Sequence, residues 1–329
     1  MIRLSEMLEK KACVVFTLFL MLFFLTVSVS AVYAAGYLPH VWSLSGTAEP
    51  DLPMSSAFGP RLKASENYIY DFHRGIDIPA EIGTPVHAIA NGVVRLAGNY
   101  AFYSDTVVQI RHYKPGKGPM TCAKRECYYS NSMHLSSVAV SEGSSVRKGD
   151  IIGYTGASES GFAHLHFEIR DNGIYQKNCI NPWKAMPYQD TLNLSISFAN
   201  DPDFSNTLSP EVEAEVSSPS NQLDFNRIEV EVFDISNGSE VSLAFQSYDV
   251  ELWNYLYTPE NDPGQYLDNP DFKGVEVNPA VFDAREDTYL IQFRFHSLHL
   301  PYIPAQARVR IKAFDVKQNS VETSLDLNL

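Results

Sequence analysis

From Phe58 to about Tyr188, apolar and polar positions alternate in short runs broken by Gly and Pro, the pattern of short β-strands joined by turns. Thr106-Val107-Val108-Gln109-Ile110-Arg111-His112 alternates as a half-buried strand. Residues 84–90 run into Asn91-Gly92, a dipeptide that favours hairpin turns, and Val146-Arg147-Lys148-Gly149-Asp150 turns into Ile151-Ile152-Gly153-Tyr154. No segment of this region keeps a helical period for a convincing length. Residues 190–224 then become rich in Ser, Pro and Glu, the composition of a linker or exposed loop. Beyond them alternation returns in stricter form at residues 227–234, 289–295 and 307–314, a spacing that predicts a β-sandwich. Residues 253–280, rich in Pro, Asn and Asp, read as loop between those strands.

The predicted fold class is mainly β: a compact antiparallel β domain over residues 54–188, then an acidic, sandwich-like domain over 225–329. Residues 36–53 form a lead-in segment and 189–224 a linker. Residues 1–35 are of another kind. Lys10 and Lys11 precede an apolar run over 12–29, and Val32-Tyr33-Ala34 ends it with small residues. This predicts a secretory signal peptide cut near Ala34, with a membrane anchor through residues 12–34 as the alternative. Either places the remainder outside the cytoplasm, in periplasm, cell envelope or medium. An oxidising compartment favours a disulfide, and Cys122 with Cys127 would close a short polar loop; Cys127 with Cys179 is the other connectivity. Three cysteines after the leader exclude a four-cysteine zinc site.

Charge sharpens the contrast between the halves. Residues 36–190 balance 14 basic against 14 acidic side chains, whereas residues 191–329 hold 8 basic and 23 acidic. An acidic surface of that kind argues against nucleic acid, whose phosphates need basic patches, and against anionic lipid.

The candidate chemistry lies in the neutral half. His164 and His166 are two apart on a predicted strand and so share a face, with Leu165 and Phe167 on the other. His73 and Asp77, separated by an even offset in an extended segment, would share a face as well. His73, Asp77 and His166 would supply three N/O ligands and leave a fourth position for water, the arrangement of a catalytic zinc. Other histidines invite plainer readings: His87 and His112 as structural, and His40, His296 and His299 as surface or packing residues. Arg61 reads equally as groove or turn residue. Glu168 shares the face of His166 and could support a ligand.

Taken in order, Phe58-Gly59-Pro60-Arg61, His73 with Asp77, Gly83-Thr84-Pro85-Val86, Met133-His134-Leu135, residues 146–153, Thr155-Gly156 and His164-Leu165-His166-Phe167-Glu168 make a constellation. It resembles the LytM/lysostaphin-type zinc metallopeptidases, over about residues 54–188. The resemblance implies cleavage of amide bonds in peptidoglycan stem peptides or cross-bridges. It implies Zn2+ on His73, Asp77 and His166, and His134 and His164 as catalytic histidines that handle the attacking water and the oxyanion. Two departures stand out: Ser132 where the family usually has Tyr, and the insertion carrying Cys122 and Cys127. The alternative within the same resemblance is a non-catalytic regulator that binds the cell wall and activates another hydrolase. The resemblance implies a peptidoglycan peptide as partner; the acidity and strand pattern of the C-terminal domain suggest in addition an interaction or substrate-positioning module that could meet a protein partner.

Overall fold

The computed structural model of the protein describes residues 37, 40–51, 53–63, 69–101, 103, 105–117, 126–159, 161–191, 194–205, 208–219, 223–251, 275–283 and 288–329. The expected leader and anchor, Cys122, and most of the Pro-rich stretch after 252 lie outside these residues.

Among the described residues, twenty strands make three sheets. The strands of the first half are β1 (Gly59–Lys63), β2 (Ile69–His73), β3 (Ile76–Pro79), β4 (Pro85–His87), β5 (Gly92–Gly98), β6 (Val107–Tyr113), β7 (Cys127–Met133), β8 (Leu135–Val138), β9 (Ser145–Val146), β10 (Ile151–Ala157), β11 (Ala163–Asp171) and β12 (Cys179–Ile180). In the second half follow β13 (Ser195–Phe198), β14 (Val212–Pro219), β15 (Phe225–Asp234), β16 (Val241–Asp249), β17 (Val275–Asp283), β18 (Thr288–Phe295), β19 (Gln306–Asp315) and β20 (Ser320–Asn328).

The largest sheet runs β4-β10-β11-β7-β6-β5-β9, with β3 and β12 also paired to β11 and β8 to β10. All of its pairings are antiparallel. A four-stranded sheet, β16-β15-β19-β20, and a six-stranded one, β13-β14-β18-β17-β1-β2, complete the fold. β14, β15 and β19 alternate buried and half-exposed residues, as sequence alternation predicts. Val212, Ala214 and Val216 of β14 join Val230, Val232, Val309 and Ile311 in the apolar core of this sandwich-like half.

Five expectations change. The stretch expected as linker contains β13 and β14, because Val212-Glu213-Ala214-Glu215-Val216 alternates within its Ser/Glu-rich composition. Residues 275–283, partly expected as loop, are strand β17, with Pro279 at a register shift where a missing N–H breaks no ladder bond. Asn91-Gly92 joins no hairpin: β4 pairs with β10 and β5 with β6, while Asn91 turns sideways to accept from the Lys148 amide through Oδ1. The lead-in is part of the core rather than a tether. Trp42 is fully buried, packs edge-on against Trp183 at 5.1 Å, and donates its indole N–H to the Pro187 carbonyl. Cys179 is buried and free, which removes the Cys127–Cys179 pairing.

The outer hairpin of β1 and β2 ties the halves of the chain together. β1 pairs in parallel with β17, Arg61 opposite Ala280, and antiparallel with β2, which ends at His73. The two halves therefore share a sheet.

Candidate metal centre

Strand register brings two of the expected ligands together. β3 lies antiparallel to β11 with Asp77 directly opposite His166, and directly opposed residues project on the same face. His73 arrives differently from the even-offset reading. The extended run breaks at Arg74-Gly75, between β2 and β3, and His73 reaches the site from the end of the outer hairpin. Gly75 permits the close approach to β11: a Cβ there would lie 2.5 Å from the Phe167 carbonyl oxygen and 2.8 Å from His166 Nε2.

The three donor atoms form a near-equilateral triangle. His73 Nε2 is 3.0 Å from His166 Nδ1 and 3.1 Å from Asp77 Oδ1, and His166 Nδ1 is 2.9 Å from Asp77 Oδ1. Ligand atoms about 2.0–2.1 Å from a tetrahedral zinc stand about 3.3 Å apart, so the spacing suits that ion. The hydrogen bonds on the far sides agree. His73 Nδ1 donates to the Ala57 carbonyl at 2.7 Å, and His166 Nε2 faces Glu168 Oε1 at 3.4 Å. Protons on those outer nitrogens leave lone pairs on Nε2 of His73 and Nδ1 of His166, crowded against a carboxylate oxygen. Three acceptors at this separation call for a cation or a proton between them.

Further residues hold the ligands. Arg61 Nη1 donates to Asp77 Oδ2 at 2.9 Å and to Ser56 Oγ at 3.2 Å, which places it in the site rather than in a turn. Glu168 is buried, accepts from Asn131 at 2.5 Å and from Arg170 Nε at 2.8 Å, and so backs His166 as one face of β11 allowed. Electrostatics follow from burial and these partners. Burial, with the Arg61 charge, lowers His73 to about 4. Burial opposes charge on His166 too, yet hydrogen bonds to Asp77 and Glu168 raise it to about 9. Asp77 lies well below the usual carboxylate range: burial acts against this, and His73 and His166 together outweigh it.

His134 and His164 stand beside the triangle. Their rings are 4.7 Å apart and edge-to-face, the His134 ring is 5.8 Å from that of His166, and His164 Nε2 is 3.6 Å from Asp77 Oδ1. His164 Nδ1 donates to the Phe162 carbonyl at 2.9 Å. All five histidine and aspartate positions singled out in sequence thus share one locus. His134 is one of three non-glycine residues with positive φ, at 58°, among the described residues. Close approach of β10 supports it, because the Gly156 amide donates to the His134 carbonyl at 2.7 Å and a Cβ on Gly156 would collide with that same oxygen. Sequence reasoning missed Asp105, whose carboxylate meets His134 Nδ1 at 2.5 Å. No spacing rule links two residues so far apart in different loops. Ser132 pairs with Phe167 on the core side of β7, so that departure does not face the metal ligands.

The remaining buried and half-buried histidines of this half are structural. His112 is buried and bonded to the Asn91 carbonyl and Ser130 Oγ, and His40 is buried between the Ala185 carbonyl and Tyr128 Oη. His87 bonds the Gly149 carbonyl.

Residues 71–178 match the model of peptidase family M23. The DD-carboxypeptidase/endopeptidase Mpg of Neisseria meningitidis is 38% identical over 121 residues, 36% of this chain and 25% of that protein. The peptidoglycan DD-endopeptidase ShyC of Vibrio cholerae is 32% identical over 124 residues, 37% of this chain and 26% of that protein. The chain thus matches about a quarter of the length of these relatives. Among solved structures, the catalytic domain of lysostaphin from Staphylococcus simulans is 25% identical, covering 39% of this chain and 87% of that one with a TM-score of 0.32.

Proposed function

We propose that the chain, which carries a domain of peptidase family M23, is an exported zinc metalloendopeptidase that hydrolyses amide bonds in peptidoglycan stem peptides or cross-bridges. The observation that carries this reading is the convergence of three potential metal-ligating atoms of His73, Asp77 and His166 beside two further imidazoles. The likeness to the peptidoglycan DD-endopeptidase ShyC supports the substrate class. We take residues 54–188 as the peptidase unit and 225–329 as the acidic unit, a surface suited to a protein partner.

His73, Asp77 and His166 would hold the zinc. When bound, the ion supplies Lewis acidity toward the scissile carbonyl and acidifies water near neutral pH. His134 accepts the proton of the attacking water as the new C–O bond forms. His164 orients that water and faces the developing oxyanion. The proton then passes to the leaving nitrogen as the C–N bond breaks, giving a carboxylate and an amine. Arg61 and Glu168 keep Asp77 and His166 in place throughout.

His134→Ala and His166→Ala should each abolish release of peptide fragments from purified sacculi, followed by mass spectrometry, and His166→Ala should also empty the protein of zinc. Wild-type release from either variant would overturn the reading. Purified wild-type protein that refuses added zinc would instead favour a non-catalytic, wall-binding role.

A further inference from the structure

The two histidines beside the triangle are backed by different chemistry. His164 Nδ1 meets a neutral acceptor, the Phe162 carbonyl, at 2.9 Å. His134 Nδ1 meets a carboxylate oxygen, Asp105 Oδ2, at 2.5 Å, with both side chains mostly shielded from solvent. A carboxylate in this place accepts Nδ1–H, fixes the tautomer with the lone pair on Nε2, and stabilises the imidazolium that forms when that nitrogen takes a proton.

The backbone holds the pair in register. Asp105 lies two residues before β6, and His134 lies between β7 and β8. The amide of Leu135, next to His134, donates to the carbonyl of Thr106, next to Asp105, at 3.2 Å. Thr106 Oγ1 is tied in turn to Asn99 Oδ1 at 2.7 Å. The Gly156 amide holds the His134 carbonyl from the other side. The left-handed φ of His134 is a conformation costly to a residue with a Cβ, and such conformations persist where surrounding bonds over-determine them. Here those bonds aim the ring between Asp105 on one side and His164 and His166 on the other.

We infer that Asp105 is a positioning residue: it sets the tautomer of His134 and thereby assigns the general-base role to His134 and not to His164. The inference rests on the endopeptidase reading for its kinetic consequence, while its structural content is independent of it. Asp105 pairs with His134, which lies outside the triangle of His73, Asp77 and His166, so its replacement should leave zinc content unchanged. In Asp105→Asn the side-chain amide can donate to Nδ1, which selects the Nε2–H tautomer and removes the acceptor from the reacting side.

The test uses the full-length, zinc-loaded chain. Histidine ring 15N spectra should show His134 as the Nδ1–H tautomer in the wild type and as the Nε2–H tautomer in Asp105→Asn. With a purified cross-linked muropeptide dimer as substrate, Asp105→Asn should lose about 10–100-fold in kcat, the range for partners one step removed from the reacting groups, with KM and zinc content unchanged. Asp105→Glu, which restores a carboxylate, should recover part of kcat and the Nδ1–H tautomer. A wild-type His134 in the Nε2–H tautomer overturns the inference without any variant. So does an Asp105→Asn protein with wild-type kcat, or with lowered kcat and an unchanged tautomer. If the wild type cleaves no muropeptide, the endopeptidase reading fails, and the 15N spectra still decide the pairing.

Discussion

Two regions of this molecule use the same ion pairs to opposite ends. On one face of the large sheet, Glu168 and Arg170 are 3% and 4% exposed and paired at 2.6 Å. They continue a run of polar groups that starts at the exposed Arg95 and passes through the buried Gln109 and Asn131 to His166. On the four-stranded sheet, Arg308 meets Asp326 and Glu240, and Arg310 meets Glu240, with these side chains between 28% and 51% exposed. Distances are alike in the two regions, so proximity does not separate them. Solvent does. A buried pair is held by the cost of leaving either partner alone, whereas an exposed pair trades one set of hydrogen bonds with water for another. The first region can therefore fix a ring to within a hydrogen bond's tolerance. The second keeps an acidic surface soluble.

Acid should act most strongly, through two buried imidazoles packed on the large sheet outside both sets of ion pairs. Burial lowers His40 to about 4 and His112 to about 3, so the folded protein keeps both neutral. Between those values and about 6.5 the unfolded chain binds protons that the folded chain does not, so stability falls as pH falls. By pH 4 the two together should remove about 6 kcal/mol, at about 1.4 kcal/mol per pH unit each. Urea unfolding followed at about pH 7 and again near pH 4 checks this, and a flat profile would show that neither ring is shut from solvent. Removing Arg170 comes next. Arg170→Ala strands Glu168 in the interior and should cost about 3–5 kcal/mol. Glu168→Gln keeps the shape and removes the charge behind His166. Zinc affinity, measured by chelator competition, should fall about 10-fold or more, and the unfolding midpoint should fall as well, because the buried Arg170 loses its countercharge. Arg308→Ala, at the far end of the scale, should leave the unfolding midpoint unresolved from wild type. A loss comparable to that of Arg170→Ala would dissolve the comparison.

Legibility in the sequence followed the range of the physics. The β character of both halves could be read from period-two alternation, a property of adjacent residues. His164 with His166 was legible for the same reason, since two positions along a strand return to one face. Asp77 with His73 was legible as a spacing, but the geometry behind it was not: a turn at Gly75 rather than a single extended run carries His73 to the site. β14 was hidden because its Ser and Glu content masked the alternation of Val212, Ala214 and Val216. Asp105 was illegible, because its partner is in another loop and nothing local marks it.

The chain by itself determined the strand periodicity, the donor types available and the five positions at which a metal and two imidazoles could meet. Only the tertiary structure decided which atoms of those side chains face one another. It set Asp77 opposite His166, placed Arg61 and Glu168 behind them, gave His134 a carboxylate and His164 a carbonyl, and drew the outer hairpin into a sheet with β17. The reason is that local sequence sets which way a side chain points, whereas strand register between distant segments sets what it meets.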